Sequence, residues 1–147
     1  MQVTWLCMGC GITPERATKT VDGYAAHHVF SVRAQEAFGR ATILVARVVE
    51  PFGSVVRCHE LARAVLLALE ARGGSPLVLQ DGECAGVQHS WLVIDSAILD
   101  VYTVARLPMV QLVDVVTPTL QCRLYRCGPM RDDIDHAMVA TLRKQMG

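Results

Sequence analysis

Hydrophobic positions along the chain follow two different periods. From Cys58 to Ala71 they recur every three or four residues, with Leu61, Val65 and Leu69 on one stripe and Ala62 and Leu66 beside it. That spacing predicts an amphipathic helix packed on a core. Phe52-Gly53-Ser54 supplies a turn and a candidate N-cap before it, and Gly73-Gly74 supplies the stop. Asp132 to Gln145 repeats the pattern, with Ile134, Met138 and Leu142 on one stripe. Elsewhere the short apolar runs suit strands. Thr42–Val49 is rich in β-branched residues and ends before Pro51. Pro76–Gln80 is a short strand, and Asp81-Gly82-Glu83 reads as the turn after it. Val87–Ile94 and Ala97–Val101 read as a hairpin closed at Asp95-Ser96. Val110–Val116 and Cys122–Tyr125 are further strands, separated by Thr117-Pro118-Thr119. Nearer the start, Thr13-Pro14-Glu15 opens a short helix to about Lys19. Ala26–Val32 suits a strand and Ser31–Phe38 a short helix closed by Gly39, and the pattern does not choose between them.

These elements predict one α+β domain over residues 1–147, with helices on one side of a mostly antiparallel sheet and a functional core at about 42–127. No internal repeat, linker or low-complexity stretch divides the chain.

Composition narrows the function. Apolar residues make up 52% of the chain, which excludes disorder, and 14 basic residues balance 14 acidic ones. Zero net charge with scattered arginines offers no surface for nucleic acid or an anionic membrane. No apolar run reaches the roughly 18 residues of a membrane helix. The first ten residues lack a basic, apolar leader, so six cysteines point to free thiols in the cytoplasm.

The chemistry gathers around three residues. Cys58 lies at the start of its helix, where unpaired N–H groups and the helix dipole favour a thiolate. In a tight hairpin at Asp95-Ser96, Ile94 faces Ala97, Leu92 faces Leu99 and Trp91 faces Asp100. His89, Trp91 and Asp100 then share one sheet face, with His89 diagonal to Asp100. The carboxylate can fix the imidazole tautomer and stabilise the imidazolium, leaving the other ring nitrogen for a thiol on a helix packed against the sheet. Cys58, His89 and Asp100 are therefore the candidate nucleophile, base and orienting acid. The Cys58 N–H is the natural first oxyanion donor, with Ser54, Gln80 and Gln88 as candidates for the second.

RCHELARAV, QHSWLVI and AILDVYTV, within Arg57 to about Val113, resemble the transglutaminase-like branch of the papain-like cysteine enzymes. The resemblance implies a papain-like fold and acyl chemistry on a thiol. Cys58, His89 and Asp100 match the family triad, and Trp91 matches an aromatic beside the His. The short hairpin between His89 and Asp100 is similar to that of compact bacterial or phage-type members. No calcium or separate peptide-binding segment is seen, which favours hydrolysis over cross-linking, and neither a cofactor nor a metal is implied. The expected activity is that of a hydrolase or acyltransferase on an amide or peptide bond of a peptide or protein substrate. The alternatives are a non-catalytic assembly module on the same fold and a glutamine deamidase.

The remaining candidates have plainer readings. HELAR lacks the second His of a HExxH zinc motif. His59 is expected at the surface or in packing, since helix neighbours do not face each other. Cys7 and Cys10 with Cys122 and Cys127 could make a four-sulfur zinc site, but free thiols are the preferred reading.

Overall fold

The computed structural model describes residues 30–50, 53, 55–73, 76–102, 110–114 and 124–147. Among these, three helices and a five-stranded antiparallel sheet form a mixed α/β structure. The expected helix near Thr13, the start of the strand at Ala26, and Phe52, Ser54, Cys7, Cys10 and Cys122 lie outside the described residues.

Helix α1 spans Val32–Ala46. It overturns the strand predicted at Thr42–Val49 and runs through Gly39 rather than ending there. Burial explains why. Ala34, Ala37, Phe38, Ala41, Leu44 and Val45 fall at helical spacing on the core side, and that packing outweighs the β preference of the branched residues. Ser31 caps the helix by accepting from the Ala34 N–H at 3.0 Å. Its hydroxyl also donates to Asp95, and Arg33 pairs with the same carboxylate at 2.6 Å. The start of α1 is thereby tied to the hairpin turn.

Helix α2, Cys58–Ala71, follows the sequence bounds. Its N-cap is Arg57, which makes no side-chain capping bond. Glu60 instead receives a two-pronged ion pair from Arg57, at 2.6 and 2.7 Å. Leu61, Val65 and Leu69 are buried as predicted, each such side chain contributing about 1.5–3 kcal/mol.

Strands β1 (Val78–Cys84), β2 (Val87–Ile94), β3 (Ala97–Asp100) and β4 (Gln111–Asp114) form a meander, and β5 (Tyr125–Cys127) adds to the outer edge of β1. The predicted turn at Asp81-Gly82-Glu83 is strand instead. The turn falls at Ala85-Gly86, both at positive φ, the conformation a two-residue hairpin requires. Asp81 is polar because it anchors an arginine, as described below. Gly82 is small because an added Cβ would collide with the Arg126 carbonyl oxygen. The β2–β3 hairpin has the predicted register, Ile94 opposite Ala97 and Leu92 opposite Leu99.

Helix α3, His136–Met146, starts four residues later than predicted, on an Asp135 cap. Ile134 therefore precedes the helix, and Val139, Leu142 and Met146 form its buried stripe. The main core lies between the helices and the sheet face carrying Leu92, Ile94, Leu99 and Leu112. The opposite face holds a smaller cluster of Trp91, Ile98 and Val113, with Val93 and Tyr125 against it. No helix among the described residues is long and apolar enough to cross a membrane.

Candidate active site

Strand parity places His89, Trp91 and Asp100 on the Trp91 face, and contacts agree. The His89 and Trp91 rings stack with centroids 6.1 Å apart. His89 Nε2 lies 2.7 Å from Asp100 Oδ2. The carboxylate is fixed by two further donors, the Tyr125 hydroxyl at 2.8 Å and the Tyr102 N–H at 3.1 Å. Tyr125 arrives through the β1–β5 pairing and meets Trp91 edge to face at 5.1 Å. His89 is 2% exposed and Asp100 1%.

The body of α2 packs on the other face, whereas the hairpin argument placed the helix on the His89 face. The thiol is nonetheless close enough to His89 for each group to shift the ionisation of the other. The β2–β3 pairing covers only Leu92–Ile94, so among the described residues His89 and Ser90 are paired on the β1 side alone. The first turn of α2 meets β2 at this open stretch. Asp100 occupies Nε2 of His89, so Nδ1 is the nitrogen available to the sulfur.

Burial works against ionisation of Cys58. Hydrogen bonds and charge from His59 and His89 override it and bring the thiol from an ordinary 9.0 down to about 6. Burial likewise works against a charged His89. Asp100 first, then Cys58, overrides it and raises the imidazole from 6.5 to about 10. Between those values the pair is a thiolate beside an imidazolium. Cys84 behaves oppositely: burial and the negative Asp100 raise it to about 11, so it stays a thiol.

His59 corrects the sequence expectation. It is buried at 6% exposure, and its Nδ1 and Nε2 lie 3.6 and 3.9 Å from the Cys58 sulfur. Side chains lean toward the helix N-terminus, so at the first turn two neighbours can converge beyond the helix end. Nδ1 is also 2.7 Å from Ser90 Oγ, which donates to Asp81 Oδ1 at 2.5 Å. Arg63 grips Asp81 with two bonds, at 3.1 and 2.6 Å, and the Arg131 N–H adds a third donor at 2.9 Å. Only Ser90 left a signal in the sequence, as a polar residue on the apolar face of β2.

Two of the three oxyanion candidates are committed elsewhere. Gln80 Nε2 donates to the Asp81 and Gly128 carbonyls, and Gln88 lies between Glu83 and Arg131. The first N–H groups of α2 have no partner within the helix and remain the natural donors. No group of three or more metal-ligating side chains is found among the described residues. Cys127 is an exposed free thiol, and the other three cysteines of the zinc reading lie outside the described residues.

An open groove of about 770 Å³ is lined by Gly82, Gln88, Arg126, Met130, Arg131 and Asp133 among others, and none of Cys58, His59, His89 or Asp100 lines it. Gly82 is paired with His89, and Asp133 bonds Arg57, the residue before Cys58. Comparison of the chain with protein-family models, with curated proteins and with solved structures finds no match.

Proposed function

We propose that the protein is a cysteine-dependent hydrolase or acyltransferase with a papain-like, transglutaminase-like fold, acting on an amide or peptide bond. The observation that carries this reading is the buried His89–Asp100 pair, 2.7 Å apart, set near enough to Cys58 for imidazole and thiol to shift each other's ionisation. The Cys58 thiolate attacks the carbonyl carbon, and the N–H groups at the start of α2 receive the developing oxyanion. The protonated His89 gives its Nδ1 proton to the leaving amine as the C–N bond breaks, leaving a thioester. Neutral His89 then takes a proton from water, or from an acceptor amine, which attacks the thioester and releases the thiolate. Asp100 holds the ring and stabilises the imidazolium. The groove lined by Gln88, Arg126, Arg131 and Asp133 is broad and mixed in charge, which suits a peptide rather than a small acyl donor. A glutamine deamidase would use the same groups on a side-chain amide.

The assembly-module reading draws on one observation, the low exposure of Cys58, 8%. Alkylation separates the two. Iodoacetamide at pH 7 is expected to label Cys58 faster than Cys127, even though Cys127 is exposed, and to leave Cys84 unmodified. His89→Ala should slow Cys58 labelling about tenfold or more, the size of a lost charge partner. Equal rates at Cys58 and Cys127, unaffected by His89→Ala, would defeat the proposal.

A further inference from the structure

Tyr125 enters the site from β5, through its register pair with Cys84 of β1. Its ring packs edge to face on Trp91 and lies 6.4 Å from the His89 ring, centroid to centroid. A phenyl ring would make the same contacts, so packing leaves the hydroxyl unexplained. That hydroxyl donates at 2.8 Å to Asp100 Oδ2, the same oxygen that takes His89 Nε2 at 2.7 Å, while Oδ1 takes the Tyr102 N–H. We infer that Tyr125 is a positioning residue for the reaction: its hydroxyl holds Asp100 against His89 and, by sharing Oδ2, limits how tightly the imidazolium keeps its proton. The inference rests on the cysteine-nucleophile reading and assigns the strength of the general acid to a residue that reading does not use.

A carboxylate oxygen has two lone pairs, so His89 and Tyr125 fill Oδ2 between them. Donors on one oxygen compete, because each draws electron density that the other then lacks. Without the hydroxyl, Asp100 turns more of its charge on the Nε2–H and stabilises the imidazolium further. Orientation is the lesser loss, since the charged imidazole and the Tyr102 N–H still grip both oxygens. His89 must surrender its Nδ1 proton to the leaving amine, and an imidazolium held too firmly does this slowly. Among the described residues, the other titratable groups facing this unit are Cys58 from α2 and Cys84 from β1. Cys84 stays a thiol and adds no charge.

The test is a pH titration of the His89 ring, followed by its 15N shifts, in the full chain carrying Cys58→Ser. That substitution removes one cause of the raised imidazole and brings the midpoint down into reach. Adding Tyr125→Phe, with folding checked by thermal melting, is expected to raise the His89 midpoint by about half a pH unit, or roughly threefold in proton affinity. 3-Fluorotyrosine at position 125 keeps ring and hydroxyl and makes a stronger donor, so it should lower the midpoint. A folded Tyr125→Phe protein with an unmoved or lowered midpoint overturns the inference. So does a fluorotyrosine protein with an unmoved or raised midpoint, and this variant decides alone should Tyr125→Phe not fold. A tyrosine that only packs would move neither. Cys58 alkylation in the protein without substitutions separates the two readings. If His89 shifts as expected and Cys58 reacts no faster than Cys127, the nucleophile fails and the hold of Tyr125 on the imidazole stands. If Cys58 reacts as expected and the His89 midpoint ignores position 125, the positioning residue fails and the nucleophile stands.

Discussion

Two hydrogen-bonded chains approach the sulfur of Cys58, one from each face of the sheet, and they differ in where the charge is balanced. On the Trp91 face, Asp100 accepts from His89, Tyr125 and Tyr102. Two of those donors are neutral, so the imidazole is the only one of the three that can become a counterion, and Asp100 raises its pKa. On the helix-covered face, Asp81 already has a guanidinium, with side chains 2% and 13% exposed. The chain through Ser90 to His59 then carries a hydrogen bond and no net charge. A similar acid–imidazole arrangement can hold a charge on the imidazole where the acid lacks a cation, and carries orientation alone where the acid has one.

Replacing each acid by its amide exposes the difference. Asp81→Asn should have the largest effect on the fold, because it leaves Arg63 buried without its counter-charge and weakens the anchor that joins α2, β1 and the Arg131 segment. A loss of about 3–5 kcal/mol in unfolding free energy is expected by denaturant titration, with little change in the Cys58 alkylation midpoint of the protein that remains folded. A stability change under about 1 kcal/mol would show that the Arg63–Asp81 pair is not the anchor described here.

Asp100→Asn is the mirror case. The amide can still accept from His89 Nε2, so the hairpin should keep its shape. The imidazolium loses its counterion, and the Cys58 midpoint should rise from about 6 by about 1–3 pH units, the usual effect of one adjacent charge. Alkylation rates between pH 5 and 9 measure it. A midpoint that stays put in the folded variant would mean that the charge balance on the Trp91 face is not what keeps His89 protonated.

How much of this was legible along the chain follows from how local each signal is. The β2–β3 hairpin was readable because a two-residue loop fixes the parity of every side chain after it, and that alone set His89 beside Asp100. Helix α2 was readable from its stripe. Residues 42–49 were not, since Thr42, Ile43 and Val45 carry a β preference that only the burial of α1 overrides. Asp81-Gly82-Glu83 imitated a turn because an ion-pair anchor and a close backbone approach use the same residue types as turns do. His59 was hidden by a rule that holds in mid-helix and fails at the first turn. Tyr125 was hidden because β5 pairs with β1 some forty residues earlier in the chain, a separation that no local pattern records.

The smallest effect separates the two faces without touching either acid. Cys58 has a depressed folded pKa, about 6 against 9.0, so its contribution to stability is full above pH 9 and is lost as pH falls toward 6. His89 has a raised one, about 10 against 6.5, so its contribution is full below pH 6.5 and is lost as pH rises toward 10. Between pH 6.5 and 9 the slopes are equal and opposite, because folding moves one proton from sulfur to imidazole and releases none. The unfolding free energy of the unmodified protein should therefore be flat across that window. Cys58→Ser removes the sulfur's slope and leaves that of His89, reduced but of the same sign because Asp100 is the larger cause of its rise. Stability of this variant should fall by about 1–2 kcal/mol from pH 6.5 to 8.5, within the limit of about 1.4 kcal/mol per pH unit for one proton. Parallel pH profiles for the two proteins would mean that the proton stays on the sulfur, and the Trp91 face would then be scaffold like its counterpart.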